Sequence, residues 1–261
     1  VPASEPSEHS EDRRGVPIFE TPRGSLPDRF SAALDGRHPV LVFFLAMLAG
    51  FLVLAAASIL LALLVVHVVV PGSGLGLGSS DESVNNTLAE HRTGTLTTIA
   101  EVGTEVGGSP VLPILVGIVA IVCAFKRRWL IAAFAVFVLA VESATYRVTS
   151  ILVPRHRPTV HRLEGLEIDA SYPSGHTAAS IAVYSGLVLL LASRFTSSLK
   201  KALAWTAAIL LTTFVALSRM YEGMHHPLDV AGGVLVGIGA IFVLLFACRA
   251  AGAASGRRSR A

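Results

Sequence analysis

The sequence predicts an all-α, polytopic membrane protein, a bundle of six transmembrane helices. Three observations lead there. Hydrophobic residues make up 52% of the chain against 15% charged, and the apolar ones come in blocks rather than being spread evenly. Several blocks are long enough to cross a hydrocarbon layer of about 30 Å, which takes ~20 helical residues. Lys and Arg gather in alternate connections between the blocks, the bias that sets membrane orientation.

Taken in order, residues 1–38, with SEPSEHSEDRRG, are rich in Pro, Ser and charge, have no apolar period, and predict a disordered cytoplasmic tail. A secretory signal peptide is not expected, because the first apolar run starts near residue 39 and is too long for an h-region. Spans are predicted at 39–70, 110–125, 129–153, 175–193, 202–218 and 228–248. The first is overlong and must tilt or protrude; the second and fifth are short. Between the first two spans, PGSGLGLGSS follows a helix rather than a strand and lacks dinucleotide or P-loop spacing, so it predicts a flexible loop. Val84, Leu88, Leu96, Ile99, Val102 and Val106 then recur at helical spacing, predicting an amphipathic helix over about 82–108 that lies on the outer surface. The membrane domain thus runs over 39–249, and 250–261 forms a basic cytoplasmic tail. Glycines 232, 233, 237 and 239 in the last span suit close helix packing, and His67 reads as a packed or interfacial residue. Two cysteines, Cys123 and Cys248, imply neither a disulfide framework nor a metal site.

With the N-terminus inside, all but six of the 21 Lys and Arg residues fall on the inner side. This bias accounts for the slight net positive charge, so no nucleic-acid partner is expected. The six are Arg92, Arg147, Arg155, Arg157, Arg162 and Arg219, and all but Arg92 border three outward-facing stretches. Those stretches are RVTSILVPRHRPTVHR after the third span, SYPSGHTAAS opening the fourth, and SRMYEGMHHPLDV after the fifth. With Asp169, which lies between the first two, they bring His156, His161, His176, His225, His226 and Asp229 to one membrane face, the extracytoplasmic one, where a single polar pocket is expected.

Arginines carry planar forks of N–H donors that fit phosphate oxygens, so their convergence predicts an oxyanion site. Ser174 suits the N-cap of the fourth span, leaving the Gly175 and His176 amides at the positive helix end. His225 and Asp229 are four apart, within reach if Pro227 starts the last helix, so the carboxylate can fix the imidazole tautomer. An oriented histidine can act as nucleophile. His156, His161 and His226 read as loop residues near the mouth. The arginines would repel a cation, so no metal or other cofactor is expected.

Arg157-Pro158, Pro173-Ser174-Gly175-His176, and Ser218-Arg219 followed by His225 and Asp229 resemble the three-part signature of the type 2 phosphatidic acid phosphatase superfamily. That family includes lipid phosphate phosphatases, polyprenyl diphosphate phosphatases and vanadium haloperoxidases. The resemblance implies a metal-independent, two-step transfer. His225 would attack phosphorus, aided by Asp229, to give a phosphohistidine; His176 would protonate the leaving oxygen and then activate water. Arg157, Arg219, Ser174 and Gly175 would bind the nonbridging oxygens. The family's first motif opens with a lysine where this chain has Ser150. Arg155 is expected to replace it as a phosphate ligand, with Arg147 the second candidate unless it pairs with Glu142 inside the third span.

A pocket bordered by helices at the outer face suits a phosphate whose lipid tail stays in the bilayer. Polyprenyl diphosphate is the leading substrate, phosphatidic acid or another phospholipid phosphate the alternative. A non-catalytic lipid-phosphate-binding relative is the reading that the absent lysine favours.

Overall fold

A chain crossing hydrocarbon must satisfy its own backbone N–H and C=O groups within each segment, which leaves helices as the solution here. The computed structural model describes residues 16–72, 77–165 and 170–259, and no strand occurs among them. The helices are α1 (Leu26–Ala33), α2 (Pro39–Val69), α3 (Leu77–Glu90), α4 (Gly94–Gly107), α5 (Val111–Phe125), α6 (Trp129–Leu152), α7 (Gly175–Ala192), α8 (Ser198–Tyr221) and α9 (Pro227–Arg258). Among the described residues, six stretches are long and apolar enough to span a membrane: α2, α4 with α5, α6, α7, α8 and α9. Val53, Leu210 and Phe242 are each more than 60% exposed, as side chains facing lipid should be.

Three expectations are corrected. Residues 16–38 are not a disordered tail: Val16 and Phe19 are buried, the Phe19 ring lies 5.9 Å from that of Phe134, and α1 packs on the end of α9. Arg249 Nε donates to Ile18 O at 2.9 Å and Thr21 Oγ1 to Arg249 O at 2.8 Å. Polar composition concealed a few apolar anchors that only a tertiary partner makes useful; residues 1–15 lie outside the described residues. The basic C-terminal stretch is likewise helical to Arg258, because Ala250, Ala251 and Ala254 are small enough to stay packed.

The third correction concerns the single surface helix of 82–108. Two helices replace it, separated at Arg92 and Thr93, where Thr93 Oγ1 accepts from Leu96 N at 3.2 Å and caps α4. The apolar stripe of Leu96, Ile99 and Val102 faces outward, while Ala100, Gly103 and Gly107 are buried, with α4 packed on α8. Lipid is as apolar as leucine, so helices in it associate through small residues. The second span therefore begins in α4 and runs over Gly94–Phe125, interrupted near Pro110, which has no N–H to continue the ladder.

The core is organised around α9, which contacts α1, α2, α6 and α7. Its glycines let α7 come to backbone contact: a Cβ on Gly233 would lie 2.5 Å from Ser174 O, and one on Gly237 2.6 Å from Ala178 O. No side chain can yield there, because the obstacle is backbone. We expect Gly233→Val to cost about 1–3 kcal/mol through overpacking, read as a lowered thermal unfolding midpoint in detergent. An unchanged midpoint would contradict so close an approach of α7 and α9.

Candidate active site

Pro154 and Pro158 favour an extended segment after α6, in which alternate residues face opposite sides. Arg155 and Arg157 are buried, and His156 between them is exposed. Arg155 ends between two acids, with Nη1 on Asp229 Oδ1 and Nη2 on Asp81 Oδ2, each at 2.5 Å. Burial disfavours its charge, but Asp229 and Asp81 outweigh that and raise its pKa. This corrects the expectation that Arg155 supplies a phosphate ligand, since both terminal nitrogens are engaged by carboxylates. Arg157 donates from Nη1 to Met224 O at 2.6 Å and from Nη2 to Ala170 O at 3.0 Å, which holds neighbouring loops in place.

Ser174 occupies the N-cap position of α7, and its N–H donates to Asp229 O at 2.9 Å. Its hydroxyl does not cap the helix; it shares a hydrogen bond with Thr177 Oγ1 at 3.0 Å. Gly175 backs onto the Tyr146 ring, and a Cβ would sit 3.3 Å from it. The His176 ring lies against Gly108, where a Cβ would come within 2.7 Å of Nε2. The α4–α5 junction thus makes room for this imidazole.

At the end of α8, Arg219 is fully buried. Its Nη1 donates to Glu164 Oε2 (2.6 Å), Glu222 Oε2 (2.8 Å) and Thr104 Oγ1 (3.0 Å). Its Nε and Nη2 have no hydrogen-bond partner among the described residues. A buried guanidinium fixed at one corner with unused donors at the others is prepared to receive an oxyanion. Burial raises the pKa of Glu222, against the lowering influence of Arg219 and Thr104.

His225 is buried, and its Nδ1 lies 2.7 Å from Ser171 O. A carbonyl only accepts, so Nδ1 carries the proton and Nε2 keeps its lone pair. Burial, reinforced by Arg219, Arg157 and His176 and opposed by Asp229, holds the His225 pKa well below 6.5. The expected orienting bond from Asp229 is not made, since Asp229 Oδ2 is 3.9 Å from His225 Nδ1. Asp229 instead accepts from His226 N at 2.8 Å, lies 3.2 Å from His226 Nδ1, and pairs with Arg155. As the third residue of α9 it is drawn to the open amide at the helix start.

His226 is a buried member of this network rather than a residue of the mouth, with Nε2 2.9 Å from Glu82 Oε2. Arg147 is exposed on α6, and no ion pair joins it to Glu142 among the described residues. Five residues place the two about 140° apart around a helix, and Glu142 is buried with Ser143 Oγ donating to it at 3.1 Å. Ser150 Oγ donates to Arg147 O at 3.2 Å. His156 and His161 are exposed, and Asp169 lies outside the described residues. Arg92, set apart by sequence, binds Tyr221 O through Nε (3.0 Å) and His161 O through Nη1 (2.7 Å), so it too belongs to this end of the bundle.

The residues that sequence missed come from α3 and α4. Asn85 Nδ2 donates to His225 O at 3.0 Å and Met220 O at 3.1 Å, and Leu228 N donates to Asp81 Oδ1 at 2.9 Å. The four-residue spacing of Asp81 and Asn85 on one face of α3 is their trace in the sequence.

Residues 129–251 match the PAP2 superfamily. The chain is 38% identical over 87 residues to the bacitracin transport permease protein BcrC of Bacillus licheniformis, which is 33% of this chain and 38% of that protein. It is 30% identical over 125 residues to an undecaprenyl-diphosphatase of Sulfolobus acidocaldarius, 46% of this chain and 56% of that one. Both matches span less than two thirds of the relative's own length. In fold it is similar to a transmembrane PAP2-type phosphatidylglycerolphosphate phosphatase from Bacillus subtilis, with a TM-score of 0.61, 24% identity, and coverage of 85% of this chain and 96% of that one.

Removing one acid from a buried ion pair leaves charge uncompensated, so Asp229→Ala should cost about 3 kcal/mol or more of stability. A midpoint like that of the parent protein would contradict the network. His226 offers a pH test. Burial opposes its charge, but Asp229 and Glu82 outweigh that and raise its pKa above 6.5. Its stabilising contribution is therefore full below the unfolded-state value and is lost as pH rises through the folded-state one. His226→Gln should lower the unfolding midpoint more at about pH 5.5 than at about pH 9; equal losses, or the reverse order, would refute the pairing.

Proposed function

We propose, from the match of residues 129–251 to the PAP2 superfamily, that the protein is a metal-independent phosphatase of membrane lipid mono- or diphosphates. The observation that carries this reading is the meeting of two groups at one end of the bundle. A buried His225 is held with Nδ1 protonated, and a buried Arg219 keeps Nε and Nη2 unengaged among the described residues.

In the first step His225 Nε2 attacks the terminal phosphorus as its bond to the leaving oxygen breaks, the lipid oxygen in a monophosphate or the P–O–P bridging oxygen in a diphosphate, and His176 gives that oxygen its proton. In the second, His176 takes a proton from water, the water oxygen attacks the phosphohistidine, the P–N bond breaks and phosphate leaves. Arg219, Arg157 and the amides at Gly175 and His176 hold the nonbridging oxygens, where fixed donors matter most as charge shifts. Ser174 supports this geometry by starting α7. The proposed part of Asp229 changes with the structure: it orders the loop that carries His225 rather than bonding its ring. Arg147, being exposed, is assigned no part in phosphate binding.

Polyprenyl diphosphate is the substrate we favour, at the extracytoplasmic face with both termini cytoplasmic; phosphatidic acid or another phospholipid phosphate is the alternative. The relative named undecaprenyl-diphosphatase supports the first. The fold likeness to a phosphatidylglycerolphosphate phosphatase bears on fold alone.

Phosphate release by the purified chain, in a chelator, from a panel of polyprenyl diphosphate, phosphatidic acid and phosphatidylglycerophosphate tests the reading. We expect release without added metal, highest on polyprenyl diphosphate, and a loss of about 10²–10⁴-fold on His176→Ala. A strict need for divalent metal, or near-normal turnover by His225→Ala, would overturn the mechanism. Preference for a phospholipid phosphate would overturn the substrate assignment alone.

A further inference from the structure

At the end of the bundle away from His225, the folded N-terminal segment, the α5–α6 turn and the last turns of α9 enclose a cavity of about 1070 Å³. That lies at the upper end of the size range of small-molecule sites. Arg23, Lys126, Arg127, Arg128, Arg194 and Arg257 line it, with two acids, Glu20 and Asp28, among the described residues of the lining. Asp28 is already held by Arg257 Nη1 at 2.7 Å. Lys126, Arg127 and Arg194 have no ion-pair partner among the described residues, and Arg257 Nε makes no hydrogen bond among them and lies 3.9 Å from Asp35 Oδ1.

Orientation bias explains why cations collect at this face, but it does not explain a cavity, nor where each cation stands. Arg127 has φ 54°, in the left-handed region where glycine is the cheaper residue. The turn thus keeps a guanidinium at conformational cost. On the α9 wall, Gly252, Ala253 and Gly256 leave the space open. Apart from Thr21 the rest of the lining is apolar, with Phe19, Leu130, Ile131 and a Trp129 that is 66% exposed at the first residue of α6. An exposed indole at a span's end marks the bilayer boundary. A soluble anion would satisfy the cations and leave this floor wet; a lipid satisfies both.

We propose that this cavity binds the phosphate headgroup of an anionic phospholipid from the leaflet opposite the active site, with its glycerol and first methylenes on the Phe19 and Trp129 floor. The assignment is independent of the reaction at His225, because the two sites lie at opposite ends of the helices.

Titration of the delipidated full chain in neutral detergent tests it, with Trp129 fluorescence read in a Trp205→Phe background. The probes are dioctanoyl phosphatidylglycerol, dioctanoyl phosphatidylcholine and inorganic phosphate. Saturable binding of phosphatidylglycerol is expected, at least tenfold tighter than either of the others. Each cation near a membrane surface is worth about fivefold in affinity, so Lys126→Gln with Arg194→Gln should weaken it roughly twentyfold. Arg127→Gly should weaken it about fivefold while leaving the unfolding midpoint equal or higher, which separates lost charge from lost fold. Unchanged phosphatidylglycerol affinity in these variants, or equal affinity for phosphatidylcholine, would overturn the proposal. Inorganic phosphate binding as tightly as the lipid would overturn it in favour of a soluble-anion site.

Discussion

The guanidinium of Arg155, shared between Asp229 and Asp81, is the contact on which the arrangement of the site depends. A charge buried this deeply persists only if neutralised, so the loop after α6, the start of α9 and helix α3 are obliged to meet at one point. Asp229 extends that constraint in two directions. Its carboxylate fixes the amide of His226, next to His225, and its carbonyl accepts from Ser174 N at the start of α7, next to His176. One residue thereby sets the positions of the segments that carry both histidines. The glycine face of α9 makes the same approach sterically possible.

The arginines divide their work accordingly. Arg155 is consumed by structure, Arg157 braces the loops around the pocket beside its proposed part in phosphate binding, and Arg219 keeps donors in hand. Thr104, Glu222 and Glu164 hold Arg219 by one corner, so its remaining N–H groups are oriented before any ligand arrives. Two carboxylates beside an oxyanion site would repel its ligand. Burial eases this by raising the pKa of Glu222, and Glu164 comes from a loop with its side chain 38% exposed.

Much of this was legible in the sequence wherever a residue's surroundings follow from its own segment. Apolar runs long enough to cross hydrocarbon became spans, and the alternation around Arg155 and Arg157 put both guanidiniums on one buried side. What failed was partner choice. The i,i+4 spacing of His225 and Asp229 permits contact, but Ser171 O, from a distant segment, accepts from Nδ1–H at 2.7 Å while Asp229 turns to the helix start. Arg155 was misassigned because its second acid, Asp81, sits in α3, 74 residues away and without a motif. The apolar stripe of α4 suggests a helix lying on the outer surface, but it belongs to a span, because in lipid the small residues face the protein. Val16 and Phe19 were hidden by a polar, proline-rich context whose folding depends on α9.

In the proposed mechanism a neutral, buried His225, its Nδ1 committed to Ser171, delivers Nε2 to phosphorus. Mass spectrometry of the chain quenched during turnover of a lipid diphosphate tests it most directly, with the phosphohistidine isomer assigned by comparison with synthetic standards. The account predicts an acid-labile phosphate on His225, attached at Nε2. Phosphate at Nδ1, on another residue, or nowhere on the chain during turnover would contradict it.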